Sequence, residues 1–227
     1  MRFKNRSRRI RGSDRIRGGG WRSRGFHTRR RSIRAIIAAL AAILGIAGYA
    51  IDRGVRHSPA ADADWQAYDK HSAKVTRVVD GDTLVIDLPD KPDATTKIRL
   101  LGIDAPELHD DATGKADYFA DRALAYAKAR AEGQTVTIRL DETRTRDKYG
   151  RLLAYVYLSN AEMLNEALVR DGQAYAFRTF PCQFLNQLET AEGTARSGKR
   201  GLWKEVQIDQ MPEWRREWLK ERGLTTP

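Results

Sequence analysis

The 227-residue chain carries 41 Lys and Arg residues against 30 Asp and Glu residues, which gives a formal net charge of +11. Fourteen of the basic residues and one acidic residue lie within residues 1–34, so the rest of the chain has a net charge of −2. Recognition of nucleic acid by bulk positive charge is therefore excluded for that part. A single cysteine and four histidines exclude a disulfide framework and the cysteine-rich zinc modules.

The N-terminal segment predicts a membrane tether. Residues 1–34 are rich in Arg, Ser and Gly, which is typical of a disordered tail. Residues 35–51 are uncharged, and we interpret them as a transmembrane anchor or an uncleaved signal. A cleaved signal peptide and a buried soluble helix are the alternatives. Residues 52–72 predict a polar linker.

The charge asymmetry around the apolar run predicts the topology of a single-pass membrane protein. Because the basic tail precedes the run, the tail is expected in the cytoplasm and the remainder outside it. In a bacterium, the inner membrane with the domain facing the periplasm fits this arrangement. Cleavage of the signal would instead give a secreted protein.

From residue 73 the pattern predicts a folded domain that ends near residue 205. Alternating Val, Ile and Thr residues predict strands, and apolar residues at helical spacing that stop at a glycine predict helices. In chain order these are strands Lys74–Val79, Thr83–Leu88 and Thr96–Leu101, helix Lys115–Glu132, strands Thr135–Leu140 and Leu152–Leu158, and helices Ala161–Asp171 and Phe184–Ser197. The order predicts an α+β fold, a five-stranded OB-type β-barrel with three packed helices.

Residues 206–227 form a C-terminal extension in this interpretation. Trp214, Trp218 and Leu219 fall on one side of a possible short helix, Pro212–Arg222. Buried tryptophans are common at such spacing, so we expect the extension to dock onto the domain. The alternative is an exposed aromatic patch for recognition.

Two turns of the predicted barrel carry acidic residues at strand ends. One runs over residues 80–83 (Asp-Gly-Asp-Thr) and the other over residues 104–107 (Asp-Ala-Pro-Glu). Carboxylate and main-chain oxygens are the ligands that a hard cation such as Ca²⁺ prefers. Each motif alone is an ordinary turn, so the prediction depends on the set.

Two arginines stand near these turns. Arg99 lies on the third strand, and Arg151 follows the polar loop just before the last strand. A guanidinium offers phosphate a planar fork of donors, so two of them beside a carboxylate-bound cation favour a phosphodiester site. Either arginine alone would be an ordinary surface charge.

Four segments in this order resemble the staphylococcal nuclease (thermonuclease) family. They are Val78–Thr83, Ile98–Glu107, Asp147–Arg151 and Asn165–Arg170. The resemblance extends over residues 74–203 and implies the same OB-type barrel that the strand order predicts. It also implies metal-assisted hydrolysis of phosphodiester bonds by in-line attack of water.

The resemblance implies a role for each residue that matches a family motif. It implies three calcium ligands, namely Asp82, Asp104 and the main-chain carbonyl of Ala105, with Asp80 and Thr83 as residues that support them. Glu107 corresponds to the residue that orients or deprotonates the water, and Arg99 and Arg151 correspond to the phosphate clamp. Lys148 and Tyr149 correspond to residues that line the approach of the neighbouring phosphate and sugar. Ala105 stands where the family's archetype has threonine. A main-chain ligand survives that change, but a hydroxyl contact is lost.

The function expected from these observations is a calcium-dependent nuclease, acting as a monomer on single-stranded or denatured DNA or on RNA. One alternative is a catalytically idle OB-type module that binds nucleic acid or protein at the membrane. A second makes the Arg-rich tail the functional part, binding anionic lipid or RNA. A pure binding module has no use for the three mutually repulsive carboxylates Asp82, Asp104 and Glu107, and this favours the nuclease.

Overall fold

The computed structural model describes residues 58–109 and 114–226. The predicted tail, the predicted apolar span at residues 35–51 and the start of the predicted linker lie outside these residues. Within the described ranges, every helix is too short or too polar to span a bilayer. The strands are β1 (Ser72–Val78), β2 (Thr83–Ile86), β3 (Thr96–Leu100), β4 (Ile103–Asp104), β5 (Thr135–Leu140), β6 (Leu152–Tyr157) and β7 (Tyr175–Ala176). The helices are α1 (Pro59–Tyr68), α2 (Ala120–Ala131), α3 (Leu164–Arg170), α4 (Leu185–Ser197) and α5 (Glu213–Glu221), with short 3₁₀ helices at Gly201–Lys204 and Ile208–Gln210.

The five predicted strands form a closed barrel in the order β1-β2-β3-β6-β5, which confirms the predicted α+β class and barrel. Strand β1 closes onto β5, and all neighbouring pairs are antiparallel except β3 with β6, which is parallel. In the parallel pair, Arg99 of β3 lies opposite Leu153 of β6. The barrel therefore brings Arg99 close to the start of β6, where Arg151 is located.

Apolar side chains fill the barrel and the space between it and the helices. Fully buried members of this core are Val75, Leu84, Ile86, Ile98, Ile138, Leu152, Val156, Leu164, Leu168 and Leu188. They come from the alternating positions and helical faces that the sequence pattern marks as apolar. Helix α2 begins at Ala120, five residues later than predicted, because Asp117 forms a hydrogen bond outside the helix. The N–H of Asp117 donates to the carbonyl of Glu107 (2.9 Å), so this stretch pairs with the acidic turn instead of starting a helix.

A helix occupies much of the segment that we predicted as a polar linker. Ser58 caps α1 by accepting a hydrogen bond from the N–H of Ala61, and Pro59 lies at the first position of the helix, where proline is favoured. The side chains of Asp64 and Tyr68 are buried against the rest of the fold. The linker prediction is therefore wrong for residues 59–68, since capping and burial outweigh the polar composition.

The C-terminal extension docks onto the domain, as predicted. Helix α5 buries Leu219 in a second apolar cluster with Tyr175, Leu202, Trp203 and Met211, against which Trp214 and Trp218 pack. Arg215 is fully buried on the same helix and forms an ion pair with the buried carboxylate of Glu192 on α4 (3.0 Å). The sequence pattern did not predict this pair, which joins α5 to α4.

Candidate active site

The turn between β1 and β2 places Asp82 against the second acidic turn. The N–H of Val79 donates to the carbonyl of Thr83 (2.8 Å), and the N–H of Asp82 donates to the Asp80 carboxylate (2.9 Å). A Cβ added at Gly81 would lie 2.5 Å from the Cβ of Ala105, too close for any side chain. Glycine at position 81 therefore permits the two turns to touch.

Asp82 and Asp104 converge on the guanidinium of Arg99. Nη1 of Arg99 lies 2.5 Å from Oδ2 of Asp82, and Nη2 donates to Oδ1 of Asp104 at 2.8 Å. Oδ2 of Asp82 also accepts a hydrogen bond from the N–H of Ala105 (2.7 Å). The side chain of Asp82 is only 1% exposed and that of Arg99 13%. The structure thus brings together four predicted site residues: Asp82 from the turn between β1 and β2, Arg99 from β3, Asp104 from the end of β4 and Ala105 just after it.

The electrostatics of this cluster are dominated by burial of negative charge. Burial raises the pKa of Asp82 and the pKa of Asp104, while the charge of Arg99 opposes both shifts. Burial raises the pKa of Glu107 to about 7, and the charge of Asp80 contributes in the same direction. Burial would lower the pKa of Arg99, but Asp82 and Asp104 outweigh it and the net shift is upward. The acids therefore hold more negative charge than Arg99 alone balances.

Glu107 is positioned through its main chain. Its N–H donates to the Asp117 carboxylate (3.0 Å), and its carbonyl accepts from the N–H of Asp117 (2.9 Å). Both contacts involve the main chain of Glu107 and not its carboxylate. With a pKa of about 7, that carboxylate can gain or lose a proton near neutral pH.

Arg151 is held by its own loop and by the first turn. Its N–H and Nε donate to Asp147 (3.0 and 2.7 Å), and Nη1 donates to Oγ1 of Thr83 (3.3 Å). The Thr83 hydroxyl in turn donates to Oδ1 of Asp82 (3.3 Å). Thr83 therefore links Arg151 to the acidic cluster, which gives this predicted supporting residue a specific contact.

Both arginines line one cavity of about 370 Å³. Lys148 and Tyr149, the residues predicted to approach the substrate, also line it. The remaining wall includes Leu101, Arg144, Asp147, Phe177 and Phe180. Asp104, Ala105 and Glu107 line a second cavity, of about 780 Å³, together with residues of the C-terminal extension such as Met211 and Arg216. The contact between Arg99 and Asp104 connects the two linings.

The residues present fit a hard divalent cation. Among the described residues, no group of three His, Cys, Asp or Glu side chains is arranged to hold a metal ion by itself. The predicted ligand set needs only two carboxylates, of Asp82 and Asp104, and the carbonyl of Ala105. These carboxylates already converge on one cationic group, Arg99, and the excess negative charge around them is what a bound cation would balance.

Four residues that shape the site were missed from the sequence. Asp147 lies four residues before Arg151, and this spacing could have suggested their pairing. Arg146 binds Asp64 of α1 and the carbonyl of Gly150, and it had no distinguishing signal in a loop with several basic residues. Asp117 lay inside a predicted helix. The indole N–H of Trp214 donates to Oδ2 of Asp104 (2.8 Å) from 110 residues away, beyond the reach of local pattern.

The sequence of the chain is similar to those of known nucleases. Residues 97–205 match the family model described as staphylococcal nuclease homologue. The thermonuclease of Staphylococcus hyicus is 34% identical over 131 residues, which cover 57% of this chain and 74% of that protein. The chain belongs to the staphylococcal nuclease family.

Other members show similar agreement. An uncharacterized endonuclease of Escherichia coli is 34% identical over 141 residues, covering 62% of this chain and 81% of that protein. The thermonuclease of Staphylococcus intermedius is 31% identical over 171 residues, covering 74% of this chain and 95% of that protein. The predicted family is confirmed, and with it the prediction of an enzyme, a nuclease of the hydrolase class.

Proposed function

We propose that this nuclease cleaves phosphodiester bonds of DNA, RNA or both in a calcium-dependent reaction. The observation that carries the proposal is the shared position of Arg99, which contacts the two converging carboxylates and also lines the cavity that holds Arg151. A phosphate in this cavity would meet two guanidinium groups, and the contact between Arg99 and Asp104 joins this cavity to the acidic cluster that lines the second one. That is the arrangement a phosphodiester needs for attack with charge balance.

Each residue has a part in the proposed reaction. Arg99 and Arg151 bind the phosphate oxygens and stabilise the negative charge that grows on them as water attacks. Glu107 orients the water or takes its proton on the carboxylate. Asp82, Asp104 and the carbonyl of Ala105 would hold Ca²⁺, which when bound supplies further charge stabilisation and activates water.

Lys148 and Tyr149 would contact the part of the strand next to the scissile phosphate. Tyr149 is 68% exposed and Lys148 lies over its ring, so the two present an aromatic face and a cation to the cavity. An exposed aromatic face stacks on any base and a cation attracts any phosphate. This supports a single-stranded substrate with unpaired bases. It does not distinguish DNA from RNA, so both are tested.

Cleavage assays with the full-length protein test this function. Denatured DNA and RNA are each incubated with Ca²⁺, with Mg²⁺ or with chelator, and the variant Glu107→Gln is compared with Glu205→Gln, whose side chain is 71% exposed. We expect cleavage with Ca²⁺, little with Mg²⁺, whose octahedral shell suits a two-carboxylate site poorly, and none with chelator. Undiminished cleavage in chelator would overturn the metal assignment. Binding without cleavage under every condition would support the idle module instead.

The membrane anchor is also part of the proposal, and it is supported by sequence alone. We expect residues 35–51 to hold the protein in the membrane as a single-pass chain, with the nuclease domain at residues 73–205 outside the cytoplasm. Full-length protein should fractionate with membranes, and protease added to spheroplasts should digest the domain. Full-length protein that stays in the soluble fraction with its basic tail intact would overturn the anchor.

A further inference from the structure

The side chain of Trp214 contacts a predicted metal ligand from outside the segment that matches the family model. The match ends at residue 205, whereas Trp214 lies in α5 of the C-terminal extension. Its indole Nε1–H donates a hydrogen bond of 2.8 Å to Oδ2 of Asp104. The other oxygen of that carboxylate, Oδ1, accepts from Nη2 of Arg99. The indole therefore occupies one oxygen of Asp104, and the other oxygen faces the guanidinium of Arg99, which Asp82 also contacts.

Neighbouring rings fix the orientation of the indole. Trp214 meets the rings of Phe177 and Tyr175 edge to face, with centroids 5.1 and 6.3 Å apart. Tyr175 pairs with Asp104 across the β4–β7 ladder, and the N–H of Phe177 donates to the carbonyl of Gly102. The rings that hold the indole are thus attached to the same strand pair that carries Asp104. The hydrogen bond is consequently built into the packing.

Helix α5 itself is anchored away from the site. Arg215, the residue after Trp214, pairs with the buried carboxylate of Glu192, and Leu219 packs in the second apolar cluster. The two anchors leave α5 little freedom to withdraw. The indole N–H is therefore presented to Asp104 by an element whose position is set independently of the acidic cluster.

We propose that Trp214 is a positioning residue that orients the Asp104 carboxylate for metal binding. With Oδ2 held by the indole, rotation of the carboxylate is restricted and Oδ1 stays directed at the point where Asp82 and Arg99 meet. Partners behind a metal ligand typically change metal affinity by about 10–100-fold when removed. The proposal depends on Asp104 being a calcium ligand, as argued under the proposed function.

The test is a comparison of Trp214→Phe with Trp218→Phe in the full-length protein. Both changes keep an aromatic ring on α5, but only the first removes the N–H that contacts Asp104; Trp218 packs in the same cluster among Arg178, Arg215 and Arg222. Calorimetric titration with Ca²⁺ alone should show about tenfold weaker binding for Trp214→Phe and wild-type binding for Trp218→Phe. Cleavage by Trp214→Phe should recover when Ca²⁺ is raised by a similar factor.

The outcomes separate this inference from the function on which it rests. If the wild type binds no Ca²⁺, the ligand assignment is wrong whatever the variants do. If the wild type binds Ca²⁺ and Trp214→Phe binds it equally well, the positioning role is wrong and the ligand assignment stands. Should Trp214→Phe fold poorly, benzothienylalanine at position 214 keeps the shape and replaces the N–H by sulfur. It is expected to lose the same affinity while keeping the wild-type melting temperature.

Discussion

The two arginines of the site are held in opposite ways. Arg99, 13% exposed, is bound by carboxylates from two different turns, so its position depends on how the chain folds around it. Arg151, 27% exposed, is bound by Asp147 of its own loop, four residues earlier. The buried acidic side of the site is thus fixed by tertiary contacts, and the loop side mainly by local ones. Two residues with the same proposed role can therefore differ in whether tertiary or local contacts hold them in place.

The largest effects are expected from Arg99→Lys and Arg151→Lys. Each keeps the charge and loses the planar fork, so each should lower kcat/KM by about a hundredfold or more. The two should differ in stability. A lysine at position 99 can face only one of the two buried carboxylates, so Arg99→Lys should also lower Tm in chelator. Arg151→Lys should leave Tm nearly unchanged.

Cleavage rates and thermal unfolding of both variants check this difference, with Arg139→Lys, a 48% exposed arginine, as the control. Equal losses of Tm for the two variants would show that Arg99 and Arg151 contribute equally to the stability of the fold, against the difference described above. A near-parental kcat/KM for either variant would make that arginine an ordinary surface charge.

The next largest effect is expected on stability, from Arg215→Ala behind the acidic side. Arg215 is fully buried and paired with Glu192, and removing one member of a buried pair typically costs about 3–5 kcal/mol. Because Glu192 keeps Arg178 as a partner, we expect the lower end, about 3 kcal/mol in the free energy of unfolding. Urea denaturation measures it, with the exposed neighbour Arg216→Ala expected within about 0.5 kcal/mol of wild type. Similar values for the two variants would mean that α5 contributes little.

The contrast between the sides also explains what the sequence could predict. Alternation and glycine signals predicted the barrel, and ordered motifs placed Asp82, Arg99 and Arg151 in one site, which the structure brings together, because such information lies within short stretches of chain. Residues that act from a distance left no local trace. Trp214 reaches Asp104 across 110 residues, and α1 was missed because its apolar contacts exist only against the finished barrel. A polar composition alone could not reveal that Asp64 becomes buried.

A moderate effect is expected from Arg146→Ala on the loop side. Arg146 binds Asp64 of α1, Asp90 and the carbonyl of Gly150, so it ties the loop that carries Arg151 to the rest of the fold. Small displacements of positioning residues can slow catalysis by up to about a hundredfold, and we expect about tenfold here, mainly as a higher KM. Steady-state kinetics against the control Arg139→Ala measures the loss. An unchanged KM would show that the loop holds Arg151 by local contacts alone.

The last prediction concerns the dependence of stability on pH at the acidic side without metal. The folded-state pKa of Glu107, about 7, lies above its ordinary value of 4.5, so the folded protein binds the extra proton between these values. Stability from this group is therefore complete below about pH 4.5 and falls as pH rises toward 7. The free energy of unfolding of Glu107→Gln minus that of wild type should rise across this window and then level off.

Urea denaturation at pH 4.5, 6 and 8 in chelator follows that difference. A difference that is flat with pH would place Glu107 in ordinary solvent, and the acidic side would then be less buried than the structure indicates. The matched variant Glu205→Gln, at an exposed position, should give a flat difference.

The parallel joint between β3 and β6 has a consequence for the order of refolding. A hairpin cannot form a parallel strand pair. Ile98 pairs with Leu152 between these strands, and the two residues lie about fifty residues apart in the chain. Long-range closures of this kind form slowly, because the entropy of closing the loop is lost before the contact is gained. Hydrolysis should therefore return only with the last stage of refolding, well after the β1–β2 hairpin. A half-folded chain of this nuclease would then be harmless to the nucleic acid around it.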